Sequence, residues 1–131
     1  MVRFERVPQR PRDWTRRTVG ETTVGEDALQ ISIDREGEHP VLILAGELDI
    51  DGVPKLRDCA VQLIGEGPPS RIILDMRNLD FIDSTGIGLL AGILKRIRHE
   101  GGEELVVRAP SHRVLRVIEL TGMQKALIIE P

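Results

Sequence analysis

With 131 residues, 40% apolar and 30% charged, the chain is the size of one domain, with enough apolar surface to offset chain entropy and enough charge to stay in solution. That composition excludes wholesale disorder and fibrous repeats, the length argues against a two-domain enzyme, and the longest apolar run, Val41 to Ala45, is far short of the roughly 20 residues a membrane-spanning helix requires. The formal charge of -3 divides into a +4 tail, six arginines against Glu5 and Asp13 in residues 1–17, and a -7 body of 12 basic and 19 acidic residues, which disfavours a nucleic-acid backbone as partner.

At the N-terminus, Arg3, Arg6, Arg10, Arg12, Arg16 and Arg17 are followed by no apolar stretch and no small-residue cleavage site, so no secretory signal is read and the cytoplasm is the expected address. Pro8, Pro11 and a Thr/Gly/Glu stretch through Gly25 give residues 1–26 the composition of a flexible Arg-rich extension, with the domain expected over 27–131. Leu29, Ile31 and Ile33 then alternate with Gln30, Ser32 and Asp34, the period of a strand with one buried face. Gly37 and Pro40 mark a short hairpin leading into Val41–Ala45, a β-prone run of the kind found in central strands. Past Gly46-Glu47-Leu48-Asp49, a helix is predicted with Val53, Leu56, Ala60, Leu63 and Ile64 on one stripe. Cys59 borders it; as the single cysteine it can form no internal disulfide or zinc cluster, and without a basic neighbour it reads as buried apolar filler.

Gly65, Gly67, Pro68 and Pro69 break that helix, and Arg71 to Asp75 reads as a third strand. After Asp80-Phe81-Ile82 a second helix turns Ile87, Leu90, Leu94 and Ile97 inward and Lys95, Arg96, Arg98 and His99 outward, stopping at Gly101-Gly102. Leu105 to Val107 is a fourth strand; Ser111 can cap a third helix running through Val114, Leu115 and Ile118 to Gly122, and Ala126 to Ile129 is a last strand. Strands alternating with helices predict an α/β domain, its mixed, partly parallel sheet of four to five strands covered by helices on at least one face.

Little in this layout suggests catalysis. His39, His99 and His112 fall in a turn, at a helix end and beside a helix start, with no metal-ligand spacing, and no nucleophile, base and oxyanion site can be assembled from the scattered carboxylates. No catalytic, metal or cofactor-binding residue is assigned. Gly86-Ile87-Gly88 lacks the dinucleotide and phosphate-loop spacings, so a small nucleotide-hydrolysing enzyme is a weak reading. The informative stretch is Asp83-Ser84-Thr85-Gly86-Ile87-Gly88, where a strand hands over to a helix with two adjacent hydroxyls. Asp83 or Ser84 must cap the helix, and Gly86 and Gly88 would allow close packing. A hydroxyl at the tip of an element is also within reach of another protein, and both readings can hold together.

Asp83-Ser84-Thr85-Gly86-Ile87-Gly88, preceded by the Ile72-Ile73-Leu74-Asp75 strand and Phe81-Ile82, resembles the phosphorylation-loop signature of the STAS domains (sulfate transporter and anti-sigma factor antagonist), particularly the stand-alone bacterial anti-sigma factor antagonists. Gly46-Glu47-Leu48-Asp49 matches a second motif of that family, and Leu120-Thr121-Gly122-Met123 its C-terminal pattern, so the resemblance covers about residues 28–129. It implies a partner switch. The unmodified protein would bind an anti-sigma factor that is also an ATP-dependent serine kinase, freeing a sigma factor in a stress response. That kinase would phosphorylate Ser84, the hydroxyl directly after the aspartate, and a PP2C-type phosphatase would reverse the mark. Asp49 matches the family acid near this serine that takes part in kinase recognition, with Asp83, Thr85 and Gly86 shaping the same surface. The alternative is a non-switching structural subunit of a stressosome-like or lipid-transport complex.

Elementary electrostatics says how such a switch would work. A phosphate at a helix N-terminus meets free amides and the positive dipole end, a gain of roughly 0.3–1 kcal/mol, so the fold should survive. Against a partner carboxylate about 4 Å away, each added unit charge costs roughly 1 kcal/mol in water and roughly 4 at an effective dielectric near 20. Repulsion at the interface outweighs the small gain at the helix.

Overall fold

The computed structural model describes residues 28–131; the expected extension over 1–26 and the boundary at Asp27 lie outside the described residues. Strands β1 (Leu29–Glu36) and β2 (His39–Leu48) form an antiparallel hairpin that pairs Leu29 with Gly46 and Glu36 with His39. Helix α1 (Val53–Glu66) leads to β3 (Arg71–Ile82), α2 (Ser84–His99) to β4 (Glu104–Arg108), and α3 (His112–Leu120), with a 3-10 turn at Met123–Lys125, to β5 (Ile128–Glu130). Because each of these connections crosses over through a helix, β2 to β5 are parallel, and the five-stranded sheet runs in chain order, β1-β2-β3-β4-β5. The expectation of a partly parallel α/β sheet is met at its upper count.

Alternation decides which face of the sheet carries the main core. Ile31, Leu44, Leu74 and Val107 point to one side, where Leu56 and Leu63 of α1, Leu90 and Ile97 of α2, and Val114 and Ile118 of α3 meet them. Burying each such side chain is worth about 1.5–3 kcal/mol. All three described helices therefore pack on one face. Residues of opposite parity, Val41, Ile43, Ile73 and Val106, form a second, smaller buried cluster on the other. Cys59 lies in the main core, where burial, with Glu66 adding, pushes its thiol up to about 11. A thiol so held stays protonated at neutral pH, in line with its reading as filler.

The sequence reading departs from the structure in four places. The third strand does not stop at Asp75 but continues to Ile82, because β3 carries two extra residues against β2: Ile43 pairs with Asp75 but Ala45 with Asn78, and Gly46 pairs with Leu79 but Glu47 with Phe81. Each insertion restores the inward direction, so the buried positions run Leu74, Met76, Leu79, Ile82, a spacing that strict alternation misses. Helix α1 runs through Gly65 and stops only at Gly67. In α3 it is Val117, not Leu115, that packs on the core beside Val114 and Ile118. The last strand starts at Ile128, since Ala126 and Leu127 close a turn by donating their backbone N–H groups to the Met123 carbonyl at 2.9 and 3.1 Å.

Candidate functional site

Ser84 stands where β3 ends and α2 begins, at the carboxyl edge of the parallel strands. The cap that the sequence left open between two residues is Asp83. Its backbone is extended (φ -115°, ψ -173°), and its Oδ1 accepts from the backbone N–H of Thr85 at 2.9 Å and of Gly86 at 3.1 Å, and from the Thr85 hydroxyl at 2.5 Å. Partial burial pushes the Asp83 carboxyl up. The bonds from the Thr85 hydroxyl and from the backbone N–H groups of Gly86, Thr85 and Ile50 outweigh it, leaving the group below the usual aspartate range. Ser84 is the first helical residue; its side chain is exposed and, among the described residues, its hydroxyl makes no hydrogen bond.

The loop after β2 lies directly alongside. The Asp83 N–H donates to the Leu48 carbonyl at 3.3 Å, tying the end of β2 to the start of α2. Gly86 is buried beneath this tie: a Cβ there would sit 2.8 Å from the Leu48 carbonyl oxygen and 2.8 Å from Ile82 Cγ1. Close packing was expected at both Gly86 and Gly88, but Gly88 is exposed with open space around it, so only Gly86 needs to lack a side chain. Both glycines lie within α2 rather than in a phosphate-cradling loop. Gly46, in the second family-like motif, has φ +101°, and a Cβ would fall 1.9 Å from the Ala28 carbonyl oxygen, so only glycine fits where β2 passes the start of β1.

Of the five expected site residues, Asp83, Ser84, Thr85 and Gly86 form one continuous turn, and Asp49 belongs to the adjoining loop. The Asp49 carboxylate is turned into its own loop, accepting from the N–H groups of Asp51 at 3.1 Å and Gly52 at 3.2 Å; among the described residues it makes no hydrogen bond to Ser84. It shapes the loop that flanks the serine. Two apolar side chains at the same edge went unremarked as surface: Ile50, 65% exposed next to Asp49, and Phe81, 39% exposed just before Asp83. An isoleucine between two aspartates in a turn was the available signal for the first. Phe81 needed the second β3 insertion, which turns it outward and Ile82 inward.

The site is thus an exposed edge, with one hydroxyl that makes no hydrogen bond among the described residues, a carboxylate beside it and two exposed apolar side chains. Exposed apolar side chains set among polar groups suit contact with another protein's surface. The cleft of about 480 Å³ lined by Arg35, His39, Pro68 and Ser70 lies at the opposite end of the strands.

Comparison with known proteins gives a consistent picture. The model of the STAS domain family matches residues 30–131. The anti-sigma-B factor antagonist of Bacillus subtilis (strain 168) is 31% identical over 103 residues, which are 77% of this chain and 92% of that protein. Among solved structures, the anti-sigma factor antagonist SpoIIAA in its unphosphorylated form superposes with a TM-score of 0.66 at 27% identity, over 76% of this chain and 86% of that one. The Bacillus cell fate determinant SpoIIAA in the phosphorylated form gives 0.60 at 26% identity, over 76% and 89%.

Proposed function

This chain belongs to the STAS domain family, and on that footing we propose that it is an anti-sigma factor antagonist switched at Ser84. Unmodified, it binds in the cytoplasm to an anti-sigma factor that is also a serine kinase, which then lets go of its sigma factor so that transcription starts from selected promoters. The kinase transfers the terminal phosphoryl group of ATP to Ser84 Oγ, the hydroxyl proton being lost and ADP leaving; a PP2C-type phosphatase hydrolyses the ester. The protein is the substrate and the ligand in this cycle, not a catalyst.

What supports the reading is the Ser84 hydroxyl itself: exposed, without a hydrogen-bond partner among the described residues, and held at the start of a helix whose cap is supplied by its neighbour. The Asp83 carboxylate already accepts from the Thr85 and Gly86 amides. A phosphate on Ser84 therefore finds fewer free donors than an uncapped helix would offer, and little reason to rearrange the backbone. It adds about -1.5 to -2 charges beside an ionised carboxylate, on an edge whose apolar members Ile50 and Phe81 would otherwise be covered by the partner. The modified edge repels an acidic partner and resists desolvation, so association is blocked while the fold stays as it is.

The test is to incubate the protein with a candidate anti-sigma kinase and ATP, comparing wild type with Ser84→Ala and Ser84→Asp. Ser84→Ala should bind without accepting phosphate. Ser84→Asp should bind at least about fivefold more weakly, since one decade is about 1.4 kcal/mol and one unit charge at about 4 Å costs roughly 1–4. Equally tight binding by all three would overturn the switch.

A further inference from the structure

Two hydroxyls stand side by side at the start of α2, and Asp83 treats them differently. Ser84 and Thr85 are both exposed, so access does not separate them. Ser84 Oγ makes no hydrogen bond among the described residues. Thr85 Oγ1 donates to Asp83 Oδ1 at 2.5 Å, the short contact of a hydroxyl on a charged acceptor, and the same oxygen takes the Thr85 and Gly86 amides at 2.9 and 3.1 Å. The carboxylate thus grips both the backbone and the side chain of one residue, and threonine, branched at Cβ, turns about χ1 only with difficulty.

Resting on the reading of Ser84 as a phosphoryl acceptor, we propose that Asp83 is the positioning residue that selects it: by holding the Thr85 hydroxyl, Asp83 withdraws that oxygen from transfer and leaves Ser84 to the kinase. Attack on the terminal phosphoryl group of ATP requires an oxygen, about 3–3.5 Å away, that presents a lone pair in line with the leaving group and hands its proton to a base. Ser84 can be turned to that geometry without breaking a hydrogen bond to any described residue. Thr85 reaches it only by giving up Asp83. Were that bond kept, the carboxylate would face an anionic phosphoryl group across a single oxygen and repel it. Nor does Asp83 serve as the base for Thr85. Against the push of partial burial, the bonds it accepts hold it below the usual aspartate range, and so acidic a group takes a hydroxyl proton poorly at neutral pH. In the transfer itself the bond from Ser84 Oγ to phosphorus forms as that from phosphorus to the departing ADP oxygen breaks, and the hydroxyl proton passes to a base of the kinase.

The test is where the phosphate sits after incubation of the full chain with the kinase and ATP, read by mass-spectrometric fragmentation between residues 84 and 85. In wild type it should be on Ser84. Thr85→Ser leaves Asp83 its hydroxyl and removes the difference in side-chain type, so phosphate should stay on Ser84; an even split between the two positions would overturn the proposal. Asp83→Ala should raise the share on Thr85 at least about tenfold, the factor expected when a hydroxyl is released from a charged acceptor. Asp83→Asn offers a neutral acceptor and should raise it less. In Ser84→Ala combined with Asp83→Ala, Thr85 should take the phosphate that Ser84→Ala alone refuses. Consecutive helical residues point about 100° apart, so a kinase that discriminates by direction alone would modify every Asp83 variant on Ser84 only, which would end the selection and leave the switch intact. Loss of all phosphate in Asp83→Asn with its circular dichroism unchanged would make Asp83 a requirement for transfer rather than a selector, and would also overturn it. A wild-type chain modified at neither hydroxyl would remove the switch itself, and the selection with it.

Discussion

The Asp83 carboxylate accepts from two amides and a hydroxyl of the turn it opens, so Asp83→Ala leaves those donors to water and should cost about 0.5–2 kcal/mol, read as a lower urea midpoint. Asp83→Asn keeps an acceptor and should cost less. The pH dependence has a definite sign. The folded group titrates below its unfolded value of about 3.9, so its stabilisation is complete above that pH and is lost as the pH falls through the depressed folded value. Urea midpoints of wild type should therefore drop more steeply than those of Asp83→Asn on acidification below about pH 4. At this scale the sequence was legible as to place but not as to role. Asp83 and Ser84 are both good capping types, and the choice between them is made by the Leu48 carbonyl, which holds the Asp83 N–H and fixes its extended backbone. Such a contact between elements distant in sequence leaves no local trace.

Helix α2 contains two glycines near its start that look alike in sequence and differ in consequence. Gly86→Ala places a methyl against the Leu48 carbonyl oxygen, a backbone atom that cannot swing away, so the end of β2 and the first turn of α2 must part. The expected loss is about 1–3 kcal/mol, with weaker partner binding because the same movement displaces Ser84. Gly88→Ala meets nothing within 4 Å and should stabilise the helix by about 0.5–1 kcal/mol. Thermal denaturation of the two variants side by side checks the pair. Element type was well signalled, since an apolar stripe marks each α-helix and an alternating or continuous apolar run each strand. Length was signalled badly in β3, where the insertions that carry the chain from Asp75 to Asp83 break the alternation that defines a strand.

Across the whole molecule, the Arg108 guanidinium joins β1, β4 and β5 through Glu36 and Glu130. Its hydrogen bond to Glu36 pulls that carboxyl below the usual glutamate range, against a smaller opposing effect of burial. Glu36 is more than half exposed, so solvent screens most of this attraction, and a double-mutant cycle between Glu36→Gln and Arg108→Gln should return a coupling of about 0.2–1 kcal/mol. Because the folded carboxyl is the depressed one, that coupling should be present at neutral pH and disappear as acid protonates Glu36. No spacing rule could have joined residues this far apart in the chain, whereas the α/β class followed directly from strands and helices taking turns. The lateral order of strands in the sheet repeats their order of synthesis. Each strand emerging from a ribosome thus meets a neighbour already in place, and the sheet can grow by accretion from its hairpin without waiting for a distant partner.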